Sequence, residues 1–272
     1  MEAIEAEPIR GGVRPSPAGL VRDRGDNSSL TTQPTTRRRH PTKAEQRAST
    51  TEQILDAAEQ LFARHGFYGV TLKEVAAQVG VHHTLLNYYF SDKAALFEAV
   101  FARRATITVG RRMQALDLYE AGCGGQPTVE GAVHAFLDTD LDLYIEGGDG
   151  WKNYGALGAQ VANTPDWGSE LMSRHFDPVV MRLIGLLRRA LPDCPAEDIF
   201  WGYNFVTGAL LLTLARTGRI DTLSGGLCHS DDFAAVKARM ARFMAAGFLA
   251  LCDPSRRPEP GVGRATTDVS LA

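Results

Sequence analysis

The sequence predicts an all-α fold, a three-helix head followed by a longer helical bundle. Three observations carry this. Apolar residues recur three or four apart in segment after segment, the period of one helix face. Alternating β-branched residues, the mark of strands, are scarce. Gly- and Pro-rich breaks at 121–127, 147–150 and 191–195 interrupt the helical pattern.

Residues 1–48 have few large apolar side chains and many Pro, Gly, Ser, Thr and Arg, so they are expected to be a disordered arm. From 27 to 49 there are five basic residues against Glu45 alone, with Arg37, Arg38 and Arg39 at the centre. Such an arm is either a solvated tail or a mobile basic segment that lies along phosphates. The whole chain has a net charge of −3, so any contact with nucleic acid must use basic charge that is local.

Ser49 and Glu52 form a capping-box pattern, which predicts a first helix over 49–65 with Ile54, Leu55, Ala58, Leu61 and Phe62 inward. The stretch 71–93 reads as two short helices and a tight turn. Thr71 caps the first with Glu74 three residues on, Leu72, Val75, Ala76 and Val79 form its buried stripe, and Gly80 ends it. The second runs over 82–89 with Leu86 inward. His83, Thr84, Asn87 and Tyr88 then face outward, with no acidic residue among them. A short helix that can offer hydrogen bonds and carries no negative charge suits the phosphate-lined major groove of DNA. Asn87 matches adenine in a bidentate pair. Ser91 is expected to cap a fourth helix reaching about 119, with Lys93 in its first turn. There the helix dipole disfavours a cation unless a phosphate is near.

The ordered set Ile54, Leu55, Ala57, Ala58, Leu61, Phe62, Gly66-Phe67, Thr71, Val75-Ala76, Gly80-Val81, Tyr89-Phe90, Lys93 and Leu96 resembles the DNA-binding domain of the tetracycline-repressor (TetR) family over 50–96. The resemblance implies a helix-turn-helix head over 49–96 and phosphate contacts by Thr71, Tyr89 and Lys93. Lys73 and His82 join them in the expected phosphate set, together with Arg37–Arg39. Two positions depart from the family pattern: Asn87 stands where Tyr is usual, and His82 where Ser or Thr is usual. The DNA sequence read therefore does not carry over.

Beyond the break at 121–127, helices are expected over 128–146, 151–163, from 165 or 166 to 191 with a kink from Pro178, over 196–218 and over 231–251, with a disordered tail over 253–272. The domain 97–252 is read as an effector-binding and dimerisation bundle. Aromatic side chains Trp151, Tyr154, Trp167, Phe176, Trp201, Tyr203 and Phe205, with Asn204, are the candidate pocket walls and point to an apolar or aromatic small-molecule effector. His134, Asn153 and Arg182 are further polar groups that could orient it. The last two helices carry apolar residues on more than one face, which predicts a two-fold partner surface through Phe205, Ala209, Leu212, Val236, Met240, Phe243, Met244 and Phe248. The resemblance implies that this surface forms a four-helix bundle between two copies.

The expected protein is thus a homodimeric regulator, by resemblance a repressor, that binds double-stranded DNA at a palindromic operator and is released by a small ligand. One rival is a ligand-binding or scaffold protein with a DNA-inactive head. Another is an enzyme. Asp138, Asp140, Asp142 and Glu146 supply carboxylates on what reads as a solvated helix, but no nucleophile, phosphate-loop or metal-ligand motif accompanies them. No catalytic residue, cofactor or metal is expected. Cys123, Cys194, Cys228 and Cys252 form no CxxC and are expected to be reduced thiols. The acidic start without a signal-peptide core, and apolar runs too short to span a bilayer, lead to a cytoplasmic location with no membrane partner.

Overall fold

Local capping chemistry starts the first three helices, and it can be read atom by atom. In the computed structural model, which describes residues 42–165 and 167–256, Thr42 caps α1 (Lys43–His65), and Glu45 returns the bond to the Thr42 amide. The first helix therefore begins six residues before the expected start at 49. Thr42 and Glu45 form an earlier capping box that the reading passed over, and 43–48 are helix rather than arm. The Arg37–Arg39 arm and residues from 257 lie outside the described residues, and the expected disordered tail over 253–272 begins instead with a 3-10 turn, Pro254–Arg256. Gly66, at φ 72°, ends α1.

Thr71 and Glu74 form the expected capping box of α2 (Leu72–Val79), and Gly80 closes it in the left-handed region at φ 76°. Helix α3 (His83–Tyr89) is capped by His82, whose ring nitrogen accepts from the Thr84 amide. Asp92, not Ser91, caps α4 (Lys93–Gly122) by accepting from Ala95. Aspartate is as good a cap as serine, and it stands one residue closer to the helix.

The body follows as α5 (Val129–Glu146), α6 (Asp149–Ala162), α7 (Gly168–Ala190), α8 (Ala196–Ala215), α9 (Arg219–Leu223) and α10 (Phe233–Leu251). No strand occurs among the described residues. The helix expected over 196–218 ends at Ala215, and the short α9 that follows was not expected. The chain leaves α8 at Arg216, whose φ of 46° stops the helix. Pro178 lies inside α7.

Helix α4 is the central strut, packed against α1, α5, α6 and α7. Helix α10 lies on α5 and α8. Two groups of side chains stand out among the contacts that fasten the head to the body. Phe62, Phe67, Phe97 and Trp167 form one aromatic cluster, with neighbouring rings 5.0–5.3 Å apart across α1, α4 and the start of α7. The second group is ionic. Glu59 of α1, 2% exposed, accepts from Arg103 at 2.8 Å and from Arg104 at 2.6 and 2.9 Å.

Cys194 and Cys252 are joined as a disulfide, which overturns the expectation of four reduced thiols. The two are 58 residues apart in sequence, so spacing alone could not pair them. The disulfide ties the turn before α8 to the end of α10. Cys123 and Cys228 remain free.

Candidate functional site

The exposed face of α3 is built by one buried anchor. Leu86 is fully buried, which turns His83, Thr84, Asn87 and Tyr88 to solvent, as expected. The hydrogen bonds around them add detail that the sequence did not. His82 Nδ1 lies 2.9 Å from the Thr84 hydroxyl, so a histidine does the capping work usually given to Ser or Thr. The imidazoles of His82 and His83 lie 4.5 Å apart. The Arg47 guanidinium sits 5.3 Å from the Tyr88 ring and 5.6 Å from the Tyr89 ring. The unforeseen first turns of α1 thus deliver a cation to the end of α3. Thr42, visible in the sequence as a cap, was the signal for it.

The phosphate candidates are already engaged to different degrees. The Thr71 hydroxyl donates to Glu74 at 2.8 Å, and the hydrogen bonds from Thr71 hold the Glu74 carboxyl below its usual range. Lys73 is exposed. Lys93 donates to the Val70 carbonyl at 3.1 Å and lies 4.5 Å from the Phe67 ring. Its odd place at a helix N-terminus therefore has an explanation without phosphate, a brace between α4 and the turn before α2.

The body holds a cavity of about 50 Å³ between α4, α5, α6, α7 and α8. Of the expected wall residues, Tyr154, Phe176 and Tyr203 line it. Trp151 is buried one layer away, against the Arg104 guanidinium at 5.0 Å and against Tyr154. Trp167 belongs to the aromatic cluster at the head. Trp201 and Phe205 are 52% and 56% exposed, and Asn204 is exposed beside them, so these three are not pocket walls. Spacing on α8 shows that they share a face, but not which way the face turns. The polar candidates also fall elsewhere. Arg182 pairs with Asp117 and Glu120, His134 with Asp138, and Asn153 lines a separate surface groove.

The cavity's charged groups are Arg112 and Asp140, which meet at 2.5 Å. Sequence reading placed Asp140 on a solvated face. It is 3% exposed, because the inner face of α5 that carries Phe136, Leu137 and Leu141 takes Asp140 inward with it. Burial pushes its carboxyl up to about 6, against the opposing pull of Arg112. Asp142 is also engaged, with Lys237 at 2.5 Å. No group of three or more metal-ligating side chains occurs among the described residues.

The expected partner surface divides in two. Phe205, Leu212 and Phe243 are open to solvent at 56%, 68% and 73%, and Ala209, Val236 and Met244 are half-buried. Met240 and Phe248 instead belong to the chain's own core, because α10 turns them onto α5 and α8. Gly202 is what admits Phe248, since a Cβ there would stand 2.2 Å from its ring. Gly208 and Gly247, by contrast, border open space. Helix α8 is long and apolar enough to cross a membrane by length and composition alone, against the expectation that every apolar run is too short. Its buried positions, Ile199, Val206, Leu210 and Leu214, recur at helical spacing along one side.

Residues 54–100 match the family model described as bacterial regulatory proteins, tetR family, and residues 134–247 match a tetracyclin repressor-like C-terminal domain. The transcriptional repressor BepR of Brucella suis is 42% identical over 62 residues, which are 23% of this chain and 29% of that protein. The transcriptional regulator RutR of Escherichia coli K12 is 47% identical over 47 residues, 17% of this chain and 22% of that one. The chain therefore matches less than a third of the length of these curated relatives. Among solved structures, the fatty acid degradation regulator FadR from Bacillus halodurans overlays with a TM-score of 0.52 at 14% identity, covering 73% of this chain and 95% of that one. A TetR-family regulator from Bordetella parapertussis overlays at 0.53 and 16% identity, covering 71% and 93%. At such identity the overlays establish the fold alone.

Proposed function

This chain belongs to the tetracycline-repressor family of transcriptional regulators, and from that premise we propose that it is a cytoplasmic repressor that binds DNA as a homodimer. The observation that carries the reading is the face of α3. Four side chains able to reach base edges stand exposed over a buried Leu86, with no carboxylate among them. In this reading His83, Thr84, Asn87 and Tyr88 meet bases. Thr71, Lys73, His82, Tyr89, Lys93 and the arm Arg37–Arg39 hold phosphates. Arg47 joins the phosphate set on the strength of its place beside Tyr88 and Tyr89.

The dimer forms through the open faces of α8 and α10. Phe205, Leu212 and Phe243 supply apolar area, and Gly208 and Gly247 permit close helix approach. Two heads on a two-fold axis meet successive major grooves roughly 34 Å apart, which calls for a palindromic operator.

Release by a small effector has a physical route through the body. Tyr154 on the cavity wall packs against Trp151, Trp151 lies under Arg104, and Arg104 is held by Glu59 of α1. A ligand that moves the wall moves the support of the head. A coupling of about 1–3 kcal/mol changes operator affinity about 5- to 150-fold.

Selection of bound duplexes from a random pool tests the reading. A palindrome with two half-sites is expected, and Asn87→Ala should blur one base position at a cost of about 1–3 kcal/mol. No enrichment at low salt would sink the reading and leave a ligand-binding or scaffold protein.

A further inference from the structure

The cavity in the body is lined mainly by apolar and aromatic side chains, with Thr108, Thr207 and three tyrosines among them, and carries charge at one point. There Arg112 of α4 meets Asp140 of α5 through a single contact, Nη2 to Oδ2. The two residues are 5% and 3% exposed. Each keeps a buried polar atom without a partner: Nε of Arg112, a donor, and Oδ1 of Asp140, an acceptor. A fork-to-fork pair would have used two parallel bonds and spent more of this capacity. A buried ion pair is also a poor device for stability, since apolar side chains of similar volume often replace one without loss. The guanidinium is held over the Phe136 ring at 4.2 Å, so its position is fixed while its Nε stays unspent.

Resting on the effector reading above, we propose that Arg112 and Asp140 are the polar anchor of the effector site. The ligand class they take is a compact aromatic or apolar molecule with one uncharged head that both accepts and donates, as an amide or lactam does. The charges argue for a neutral head. A carboxylate would face Asp140, and an ammonium would face Arg112, each in a site where water does not screen it. The two unspent atoms argue for paired function. A head that only accepts leaves Oδ1 unmet, and one that only donates leaves Nε unmet, and a buried polar group without a partner is costly.

The walls fit the rest of such a molecule, with Phe101, Phe176 and Tyr154 around the pair. The present volume of about 50 Å³ is smaller than an aromatic ring needs. Entry must therefore part the helices, which is the movement that the route through Trp151 and Arg104 conveys to α1.

The test is calorimetric titration of the full chain with benzamide, benzoate, benzylamine and toluene. Benzamide is expected to bind about tenfold or more tightly than benzoate and benzylamine, because a site built to hydrogen-bond rejects what leaves its groups unpaired. In the double variant Arg112→Met with Asp140→Leu, no unpaired charge is left behind. Toluene should bind it at least as well as it binds the wild type, while benzamide should lose about tenfold or more. Arg112→Lys keeps the charge but lacks Nε, so it should lose the same preference and serves if the double variant does not fold. Toluene binding without any preference for benzamide, or tighter binding of either charged probe, overturns the anchor and leaves the cavity reading intact. Failure of all four probes overturns the cavity reading and the anchor together.

Discussion

In the head, most side-chain hydrogen bonds join near neighbours: Thr42 with Glu45, Thr71 with Glu74, His82 with Thr84, Asp92 with Ala95. The buried or part-buried ones that join helices far apart in sequence lie in the body and at its junction with the head: Glu59 with Arg103 and Arg104, Arg112 with Asp140, Asp142 with Lys237. The first kind is exposed and sets where helices begin. The second is wholly or partly buried and sets how helices sit against one another. An exposed cap can be lost at the cost of one bond, whereas a buried charge left alone costs its full desolvation. The head should thus tolerate change where the body does not.

Glu59 gives that comparison its largest test. It is the shared acceptor of two guanidinium groups and is nearly inaccessible. Glu59→Ala should destabilise the chain by roughly 3–5 kcal/mol, because it strands Arg104 and part of Arg103 in a poorly solvated junction. Denaturant unfolding measures it. A loss below about 1 kcal/mol, the range of an exposed pair, would erase the distinction between the two regions.

The disulfide comes next. Cys194 and Cys252 close a loop of 58 residues that contains α8, α9 and α10. In the chain-entropy account, cross-linking a loop of that size is worth about 4 kcal/mol. The oxidised protein should unfold later than the reduced one by that order, with mass spectrometry confirming the bonded pair. Equal stability of the two forms would show that the unfolded chain is not constrained by the link. In a reducing compartment the thiol pair would replace the bond, and the body would work at the lower stability.

These two cases also mark what the sequence could reveal. Most of the helices, the cap at Thr71 and the outward set on α3 follow from spacings of three and four residues, which a linear sequence displays directly. Asp140 looked solvated because three other acids surround it on α5. Only the partner on α4 and the packing of α5 show that it faces inward. Trp201 and Phe205 looked like pocket walls for the mirror reason. An aromatic stripe has the same spacing whether it faces a cavity or a second copy. Cys194 with Cys252, and Glu59 with its two arginines, are contacts across more than forty residues that no local pattern encodes.

A pH titration sharpens the contrast at a smaller scale. Burial raises the Asp140 carboxyl from its ordinary 3.8 to about 6 in the folded chain. The fold therefore favours the protonated form. The stability from this group is fully present below about pH 4 and is lost as the pH rises through about 6, a difference of roughly 3 kcal/mol at most. The Arg112→Met, Asp140→Leu variant lacks the group, so the wild type should lose stability relative to it between those limits. A parallel pair of curves would mean that Asp140 is better solvated than its burial implies.

The smallest effect belongs to the head. Thr71→Ala removes the cap of α2 and frees Glu74, both exposed, and should cost about 1 kcal/mol. The same change lets the Glu74 carboxyl, held low by Thr71, rise toward its ordinary range. Operator binding should weaken by more than the stability loss explains. The start of α2 would loosen, and a carboxylate no longer occupied by Thr71 would face the phosphates. Filter binding over a salt series separates the two contributions, since a lost phosphate contact lowers the slope against log salt by about one. If affinity falls only in step with stability and the slope is unchanged, Thr71 is a cap and nothing more.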